Sequence, residues 1–422
     1  MKSLGELVRD LQPHSLLTLS DQLVYVQSHH HGIFLDQTIS DALGGEGWAV
    51  RKQSAFESSH ALLEAVFKTQ SVEGAKDRLE VASALFSSMG HGKLVFDVAA
   101  EGGVVRGEAL FYGSSFASKY GKVIRHKQPV DSFAAGFSAA AASLAFPSDW
   151  GHFEAEEVSC VGRGDGSCAF TLSRRPERPR LGVAVTRQVV ASLPLKAPPL
   201  DAPASQYPQA IPSAMRVIRN LVATEEGVVR AFGVRLAIVP VGYVNQITFD
   251  TMHLLESRTP ELVPVYAALV REAAQSGAFH LLGGVLSSPE WAISSKATGP
   301  VEHRLEKFLS IARVLGWGRW YSVEFFPGQS LVVRSPTTQE SIYYGTRYGA
   351  SVRNRLFFQQ GAVLAVMQLL HRVDFAAPNP ISAASYAALF GGGSGRFHVE
   401  ETRSPLRGDD MCEIVVEALS ER

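Results

Sequence analysis

Apolar residues recur at helical spacing between residues 57 and 90 of this chain. Leu62, Leu63 and Val66 fall on one face of such a helix, and Gly90 stands where a C-terminal cap is expected. The pattern then changes to β-branched runs on both sides of turn glycines, in LVFDVAAEGGVVRGEALFY, which predicts a hairpin around residues 101–103. These elements predict the α+β class, with helices packed on a small antiparallel sheet.

One segment of the first half recurs in the second half with nearly constant spacing. RLEVASALFSSMGHGK begins at Arg78, and RLEKFLSIARVLGWGR begins 226 residues later at Arg304. SKYG at Ser118 then matches TRYG at Thr346, and each copy closes with an acidic strand, a turn and another strand. We therefore interpret the chain as one ancestral domain copied twice, with a longer loop before the last hairpin of the second copy.

The two copies are separated by a proline-rich stretch. Residues 173–212 contain eight of the chain's 21 prolines. Proline at this density interrupts helices and sheets, which predicts an extended linker. The expected domains are therefore residues 1–172 and residues 213–422.

Each copy also contains a helix between its paired strands, and in the first copy this helix is rich in alanine. Small side chains over residues 134–145 allow another backbone to approach closely. The sequence therefore predicts a tight helix pair or a dimer seam at this helix.

Composition and charge exclude several classes of partner. Lys+Arg number 40 against 41 Asp+Glu, so the chain as a whole has no electrostatic attraction to nucleic acid or to anionic lipid. No apolar run approaches the roughly 18 residues that a membrane span requires, and the first residues are charged where a signal peptide is apolar. With three cysteines, a secreted disulfide framework is not expected. The sequence predicts a cytoplasmic protein.

The candidate chemistry lies in the last hairpin of the first copy. Glu157, Cys160 and Cys168 form the pattern Glu-x-x-Cys-x7-Cys, and the turn GRGDGS between the cysteines brings two strands side by side. Two thiolates and a carboxylate are ligands that zinc accepts, so zinc is the expected metal. Alternatively, the cysteines are small apolar residues that face each other across the hairpin, and Glu157 is solvated.

This hairpin resembles the C-terminal signature of the four-vinyl reductase domain, a predicted hydrocarbon-binding domain. The family is similar in fold to TRAPP vesicle-tethering subunits and to the sensor domains of phenol- and xylene-responsive bacterial activators. The resemblance covers residues 15–172 and, more weakly, residues 213–420. The residues that carry it are Glu157, Cys160, Gly164, Asp165, Cys168 and Phe170.

The resemblance implies a structural zinc held by the glutamate, the two cysteines and a further upstream cysteine, next to an apolar ligand cavity. No cysteine precedes Cys160 in this chain, so the fourth ligand is expected to be His126, with His152 or water as alternatives. In the second copy Ser404 replaces the first cysteine and leaves Glu401 with Cys412. We expect that copy to be free of metal.

Two further groups of residues invite a functional interpretation. The expected ligand-binding aromatics are Phe111, Tyr112, Phe116 and Tyr120, which could equally be core residues. A run of three histidines, residues 29–31, is interpreted as surface residues of a strand, because successive strand residues point to opposite faces.

No catalytic signature is recognisable, and the chain is expected not to be an enzyme. The first hypothesis is binding of a small hydrophobic ligand, aromatic or tetrapyrrole-like, with signalling through a protein partner or a homo-oligomer. The alternative is a ligand-independent scaffold or adaptor that resembles TRAPP subunits. A vinyl reductase is the weakest hypothesis, because no nicotinamide or flavin motif is present.

Overall fold

The structure is a computed structural model. It describes residues 2–11, 13–121, 123–147, 152–177, 181–192, 209–294, 299–377, 379–391 and 397–419. Within these ranges no helix has the length and apolar character needed to cross a membrane.

The first copy begins with a short helix and three strands, and continues through five helices interleaved with a four-stranded sheet. Its elements are α1 (Leu4–Leu7), β1 (Arg9–Leu11), β2 (Leu16–Leu19), β3 (Gln22–Ser28), α2 (His29–Leu43), α3 (Gly45–Thr69), α4 (Ala75–Ser88), β4 (Lys93–Ala99), β5 (Gly102–Glu108), α5 (Phe111–Tyr120), α6 (Ser132–Ala145), β6 (His152–Ser159) and β7 (Cys168–Arg175).

The predicted linker is only partly described, since residues 178–180 and 193–208 lie outside the described residues. The described part is not simply extended. It contains the short helix α7 (Arg187–Ser192), and the Val185 carbonyl accepts a hydrogen bond from the Leu23 amide. This stretch therefore packs along the edge of the first copy.

The second copy repeats this order with one strand fewer at its start and two added short helices, one after its second long helix and one before its last hairpin. Its elements are α8 (Ala210–Arg219), β8 (Val229–Ala231), β9 (Val234–Pro240), α9 (Val241–Arg258), α10 (Val263–Leu286), α11 (Pro289–Ser294), α12 (Val301–Val314), β10 (Tyr321–Phe326), β11 (Ser330–Ser335), α13 (Gln339–Tyr348), α14 (Phe357–Arg372), α15 (Ala383–Gly391), β12 (Phe397–Arg403) and β13 (Cys412–Ala418).

The sheets preserve the repeat. The first copy has strand order β4-β5-β7-β6 and the second has β10-β11-β13-β12, and all pairs within both sheets are antiparallel. The predicted hairpin is confirmed, because β4 pairs with β5 from Lys93 with Glu108 to Ala99 with Gly102. The mixture of helices and small antiparallel sheets is that of the predicted α+β class.

A third sheet joins the two copies within one chain. Its order is β1-β2-β3-β9-β8, and β3 of the first copy pairs antiparallel with β9 of the second. Gly90 lies next to this junction with φ +88°, and a Cβ there would lie 2.5 Å from the carbonyl oxygen of Leu236. The glycine that the sequence marks as a helix end is therefore also needed for the close approach of the two copies.

The small residues of α6 allow a tight helix pair, as predicted. A Cβ at Gly136 would lie 2.6 Å from the Lys52 carbonyl oxygen of α3. In the second copy Gly361 of α14 packs equally closely against the Arg271 carbonyl of α10. In each copy the helix that precedes the last hairpin in the repeat, α6 or α14, thus packs tightly against a long helix of the same copy.

Candidate metal centre and adjoining cavity

The hairpin β6–β7 brings the predicted ligands together. Glu157 lies near the end of β6, Cys160 follows that strand, and Cys168 begins β7 after a 3-10 turn at Val161–Arg163. The Asp165 carboxylate accepts a hydrogen bond from the Cys160 amide at 2.8 Å and so holds the turn closed. Both thiols consequently point to the same buried space.

The fourth member of this group is Asp131, which sequence analysis missed. One donor atom from each of Asp131, Glu157, Cys160 and Cys168 lies within 4.8 Å of the other three, and all four residues are buried. Asp131 is positioned by its place just before α6, where its carboxylate accepts from the Gly113 amide at 2.9 Å. The one available signal was a carboxylate directly before the small-residue helix.

Hydrogen bonds tie the four side chains to one another. The Asp131 amide donates to Glu157 Oε2 at 3.0 Å, and Cys168 Sγ donates to Asp131 Oδ2 at 3.3 Å. Among the described residues, Glu157 Oε1 has no hydrogen-bond partner although it is buried. A buried carboxylate oxygen without a partner is costly, and a cation would supply what is missing.

The protonation behaviour of the group also fits a cation. Burial, reinforced by Asp131, raises the pKa of Glu157 to about 11, and burial with Cys160 nearby raises the pKa of Asp131 to about 7. The hydrogen bond with Cys168 lowers the pKa of the Cys160 thiol to about 5, whereas the pKa of Cys168 is raised. Protons thus compensate the buried negative charge, and a divalent ion could replace them.

The donor set of two thiols and two carboxylates suits a closed four-coordinate zinc site. Glu157, Cys160, Cys168 and Asp131 are the residues that would hold the ion. Such a site has no open position for a reacting water, so its contribution would be to clamp the hairpin to the start of α6.

His126, the expected fourth ligand, lies outside this group. Its Nδ1 is 2.9 Å from the Gln128 carbonyl oxygen and its Nε2 is 3.2 Å from Gln37 Oε1. His152, the alternative ligand, contacts the Glu177 carbonyl oxygen at the exposed start of β6. Both histidines are therefore hydrogen-bonded elsewhere, and Asp131 takes the position that the sequence analysis assigned to His126.

The counterpart in the second copy keeps one carboxylate and one thiol. Glu401 corresponds to Glu157, and its Oε2 accepts from the amides of Arg355 and Leu356 at 2.8 and 2.9 Å. Leu356 precedes α14 as Asp131 precedes α6, and Ser404 stands in place of Cys160. Cys412 is buried, and burial raises its pKa to about 12.

A small cavity of about 10 Å³, the size of one water, lies against the metal centre, and Val130 connects the two. Its lining includes a buried ion pair in which Arg51 Nη1 lies 2.6 Å from Asp36 Oδ2. Asp36 Oδ1 and Arg51 Nη2 are buried and have no partner within the described part of the chain. The lining residues are Ile33, Asp36, Gln37, Arg51, Tyr112, Phe116, His126 and Val130.

The four aromatics predicted to bind ligand divide into two groups. Tyr112 and Phe116 line the cavity. Phe111 is a core residue whose ring lies 5.7 Å from that of His91, and the half-exposed Tyr120 packs on Phe116 at 5.3 Å. Sequence reasoning also missed Asp36 and Arg51, whose opposite charges meet only because α2 and α3 fold back on each other.

The three consecutive histidines differ from expectation. They form the first turn of α2 and are not in a strand, and His30 and His31 are buried. The His30 ring stacks on His280 of the second copy at 3.7 Å. Burial lowers the pKa of His29 and His31 to about 3 and that of His280 to about 4, so these rings are neutral packing groups between the copies.

Comparison with known proteins identifies no family. No family model matches the chain, and no curated protein matches it. Among solved structures, part of the chain is similar to the phenol-responsive sensory domain of the transcription activator PoxR with phenol. That similarity has 18% sequence identity and a TM-score of 0.33, and covers 40% of this chain and 86% of the other. A likeness at this level identifies neither the fold nor the function of the chain.

Proposed function

We propose that the first copy is a non-catalytic binding module for a small aromatic ligand, with a structural zinc ion beside the ligand cavity. The observation that carries the proposal is the pair of buried, unpartnered polar atoms at one cavity, Asp36 Oδ1 and Arg51 Nη2. Buried polar groups are ordinarily paired, and a ligand hydroxyl could donate to the first atom and accept from the second.

The rest of the cavity supports an aromatic ligand. The rings of Tyr112 and Phe116 contribute apolar wall, and Ile33 and Val130 add aliphatic surface. The free space of about 10 Å³ is the size of one water, so a ring would enter only if side chains such as Phe116 and Ile33 move aside. A site this small favours a single ring over the tetrapyrrole-like ligand that the sequence also suggested.

The metal ion would have a structural role and would hold neighbouring elements in place. Zinc bound to Asp131, Glu157, Cys160 and Cys168 would fix the β6–β7 hairpin to the start of α6, and Val130 at that point is part of the cavity wall. The chain's own side chains then hold the ligand and exclude water from it. Binding would be communicated through a partner, in a cytoplasmic protein without enzymatic activity.

The same proposal extends to the domain level. Residues 1–172 and 213–422 are proposed to be two four-vinyl-reductase-like domains, of which the second is degenerate. The identical strand order of their four-stranded sheets supports a duplication, and the Glu-x-x-Cys-x7-Cys hairpin supports the family resemblance.

The test measures ligand and metal on the tag-free full chain. Metal is counted by elemental analysis, and titration calorimetry compares phenol with toluene, which has a similar ring but no hydroxyl. We expect about one zinc per chain, saturable binding of phenol and at least tenfold weaker binding of toluene, since a lost hydrogen bond in a buried site costs about 1–3 kcal/mol.

Matched variants locate the binding. Phe116→Trp fills the cavity and should abolish phenol binding, whereas Val123→Trp places the same ring on an 88% exposed residue and should not. If neither phenol nor toluene binds the wild-type chain, the ligand-binding proposal is wrong and the scaffold alternative is favoured. Binding that survives Phe116→Trp would place the ligand outside this cavity.

A further inference from the structure

An open groove of about 1370 Å³ runs between α4 and β4 of the first copy, and we call it the α4–β4 groove. Its floor is apolar and includes the buried Leu79, Leu85 and Leu94. Ala84 is exposed and Val95 is 39% exposed on its walls. An accessible apolar surface of this size is typical of an interaction site.

The corresponding face of the second copy is covered. The repeat matches Val81 and Ala84 of α4 with Lys307 and Ser310 of α12. Ala84 is exposed and Val81 is half-buried, whereas Lys307 and Ser310 are only 2% and 5% exposed. Helix α8 packs along α12. The same helix face is therefore open in one copy and occupied in the other.

The helix on α12 has a simple amphipathic pattern. The buried residues of α8 are spaced as one apolar stripe, and its two arginines, Arg216 and Arg219, lie off that stripe. The stripe consists of Ala210, Ser213, Ala214, Val217 and Ile218. The side chains of this stripe indicate which residues of a helix fit against this face of the repeat.

The first copy has no comparable helix of its own at this place within the described ranges. In the second copy, α8 is the helix before the strands that lead into α9. In the first copy, the helix before the equivalent strands is α1, which is only four residues long. Helix α1 packs instead against the end of α8, where the Leu4 amide donates to the Leu221 carbonyl at 2.8 Å. Leu7 only reaches the edge of the groove.

We propose that the α4–β4 groove binds an amphipathic helix of a partner protein, in the position that α8 takes on α12. Helix α4 spans 14 residues, so a partner helix of about three turns, roughly 16 Å long, would lie along it. Helix-in-groove recognition uses apolar residues spaced i, i+3, i+4 and i+7, the spacing that α8 carries.

The charges at the groove make this an apolar interaction. Its lining contains three lysines and three acidic residues, so neither sign dominates, and Lys76 and Glu80 already lie 3.8 Å apart as an exposed pair. Binding should therefore depend little on salt. The charged residues are Lys2, Lys76, Lys93, Glu80, Asp97 and Glu225.

The other conceivable occupant is an extended peptide added to β4, which is an edge strand. The side chain of Ser83 on α4 already donates to the Leu94 carbonyl at 2.5 Å, so one backbone acceptor of this strand is engaged. Strand addition relies on free backbone groups along the edge. This contact favours the helix.

The experiment uses phage-displayed 16-residue peptides that keep the α8 apolar stripe and randomise the other positions, panned against the full-length chain. Enriched peptides are then synthesised with a fluorescent label and titrated by anisotropy. We expect saturable binding that falls at least tenfold with Ala84→Arg, because a buried guanidinium would face the apolar stripe. Val265→Arg, on a 57% exposed residue of α10, is the matched control and should bind as the wild type does.

Three outcomes would overturn the proposal. The first is that no peptide is enriched. The second is that binding is unchanged by both Ala84→Arg and Val81→Arg while both variants melt at the wild-type temperature. The third is that a version of the best peptide with proline in its centre, which breaks a helix, binds equally well and so indicates strand addition.

Discussion

The last hairpin of the first copy and the last hairpin of the second have nearly the same backbone but bury their carboxylates differently. In the first, Glu157 lies beside Asp131 and two thiols, and its Oε1 has no partner among the described residues. In the second, Glu401 Oε2 accepts from the backbone amides of Arg355 and Leu356, and its Oε1, which also lacks a hydrogen-bond partner among the described residues, lies 4.0 Å from Arg407 Nη1.

Two substitutions account for most of this difference. Leu356 replaces Asp131 and removes a second negative charge, and Ser404 replaces Cys160, with its hydroxyl accepting from the Leu406 amide at 3.3 Å. The second hairpin thus balances its carboxylate with backbone amides and the nearby Arg407 charge, whereas the first concentrates donors that suit a cation. Both arrangements occur on the same duplicated backbone because the turn is unchanged. In each copy the aspartate of the turn accepts a hydrogen bond from the amide of the residue that follows the strand.

The largest effect is expected from removing the thiols of the first hairpin. The double variant Cys160→Ser, Cys168→Ser should lose its metal, from about one ion per chain to near zero, and should melt at a lower temperature, since a structural metal contributes directly to folding. Elemental analysis and calorimetry measure both. Cys412→Ser, in the second hairpin, should retain the metal, and loss of metal from that variant as well would refute the assignment to the first hairpin.

The reverse exchange should create a site. Leu356→Asp with Ser404→Cys restores all four donors in the second hairpin beside Glu401 and Cys412. We expect a second ion per chain, bound more weakly, because Glu401 must first give up backbone hydrogen bonds. Native mass spectrometry with added zinc counts the ions. A chain that folds and still binds a single ion would show that the four donors alone are not sufficient.

A smaller difference between the two hairpins is expected in how the free energy of unfolding depends on pH, measured on the protein in the presence of a chelator. The raised pKa values of Glu157, about 11, and Asp131, about 7, mean that the folded metal-free chain holds protons that the unfolded chain releases. This stabilisation is present below the unfolded pKa values near 4 and is lost as the pH rises toward the folded ones.

With chelator present, the free energy of unfolding should therefore fall between about pH 5 and pH 7, because the lowered pKa of Cys160, about 5, offsets the proton held by only one of the two carboxyls. Denaturant titrations at both pH values measure the fall. Glu157→Gln should flatten it, and Glu401→Gln, whose carboxylate is held by backbone amides, should change it less. A wild-type chelated chain that becomes more stable over this range would contradict the assigned direction.

The smallest effect is expected at the remaining thiol of the second hairpin. Cys412→Ala removes a fully buried sulfur that lies beside the hydroxyls of Ser341 and Thr338, and should cost about 1 kcal/mol without changing the metal content. Cys168→Ala should cost more, because it also removes one of the four proposed metal ligands. Equal losses for the two variants in chelator-free buffer would argue that no metal stabilises the first hairpin.

The fold was predictable where the pattern is local. The β4–β5 hairpin, the end of α4 at Gly90 and the turn between Cys160 and Cys168 follow from residues close together in the chain. The repeat was also visible, because it preserves spacing. The prediction that the three histidines are surface residues of a strand was wrong. They pack against α10 of the other copy, and a contact between distant parts of the chain leaves no pattern in the nearby sequence.

The repeated order of elements and three of the four clustered side chains that could bind a metal were predictable from sequence alone. Glycines, prolines and a short hairpin specify structure through residues that are close together in the chain. The tertiary structure alone decided that Asp131 completes the cluster and that Asp36 meets Arg51. It also decided that β3 pairs with β9 and that α8 covers α12 while the α4–β4 groove stays open. These contacts join residues distant in the chain, and only the packing of whole helices and strands brings them together.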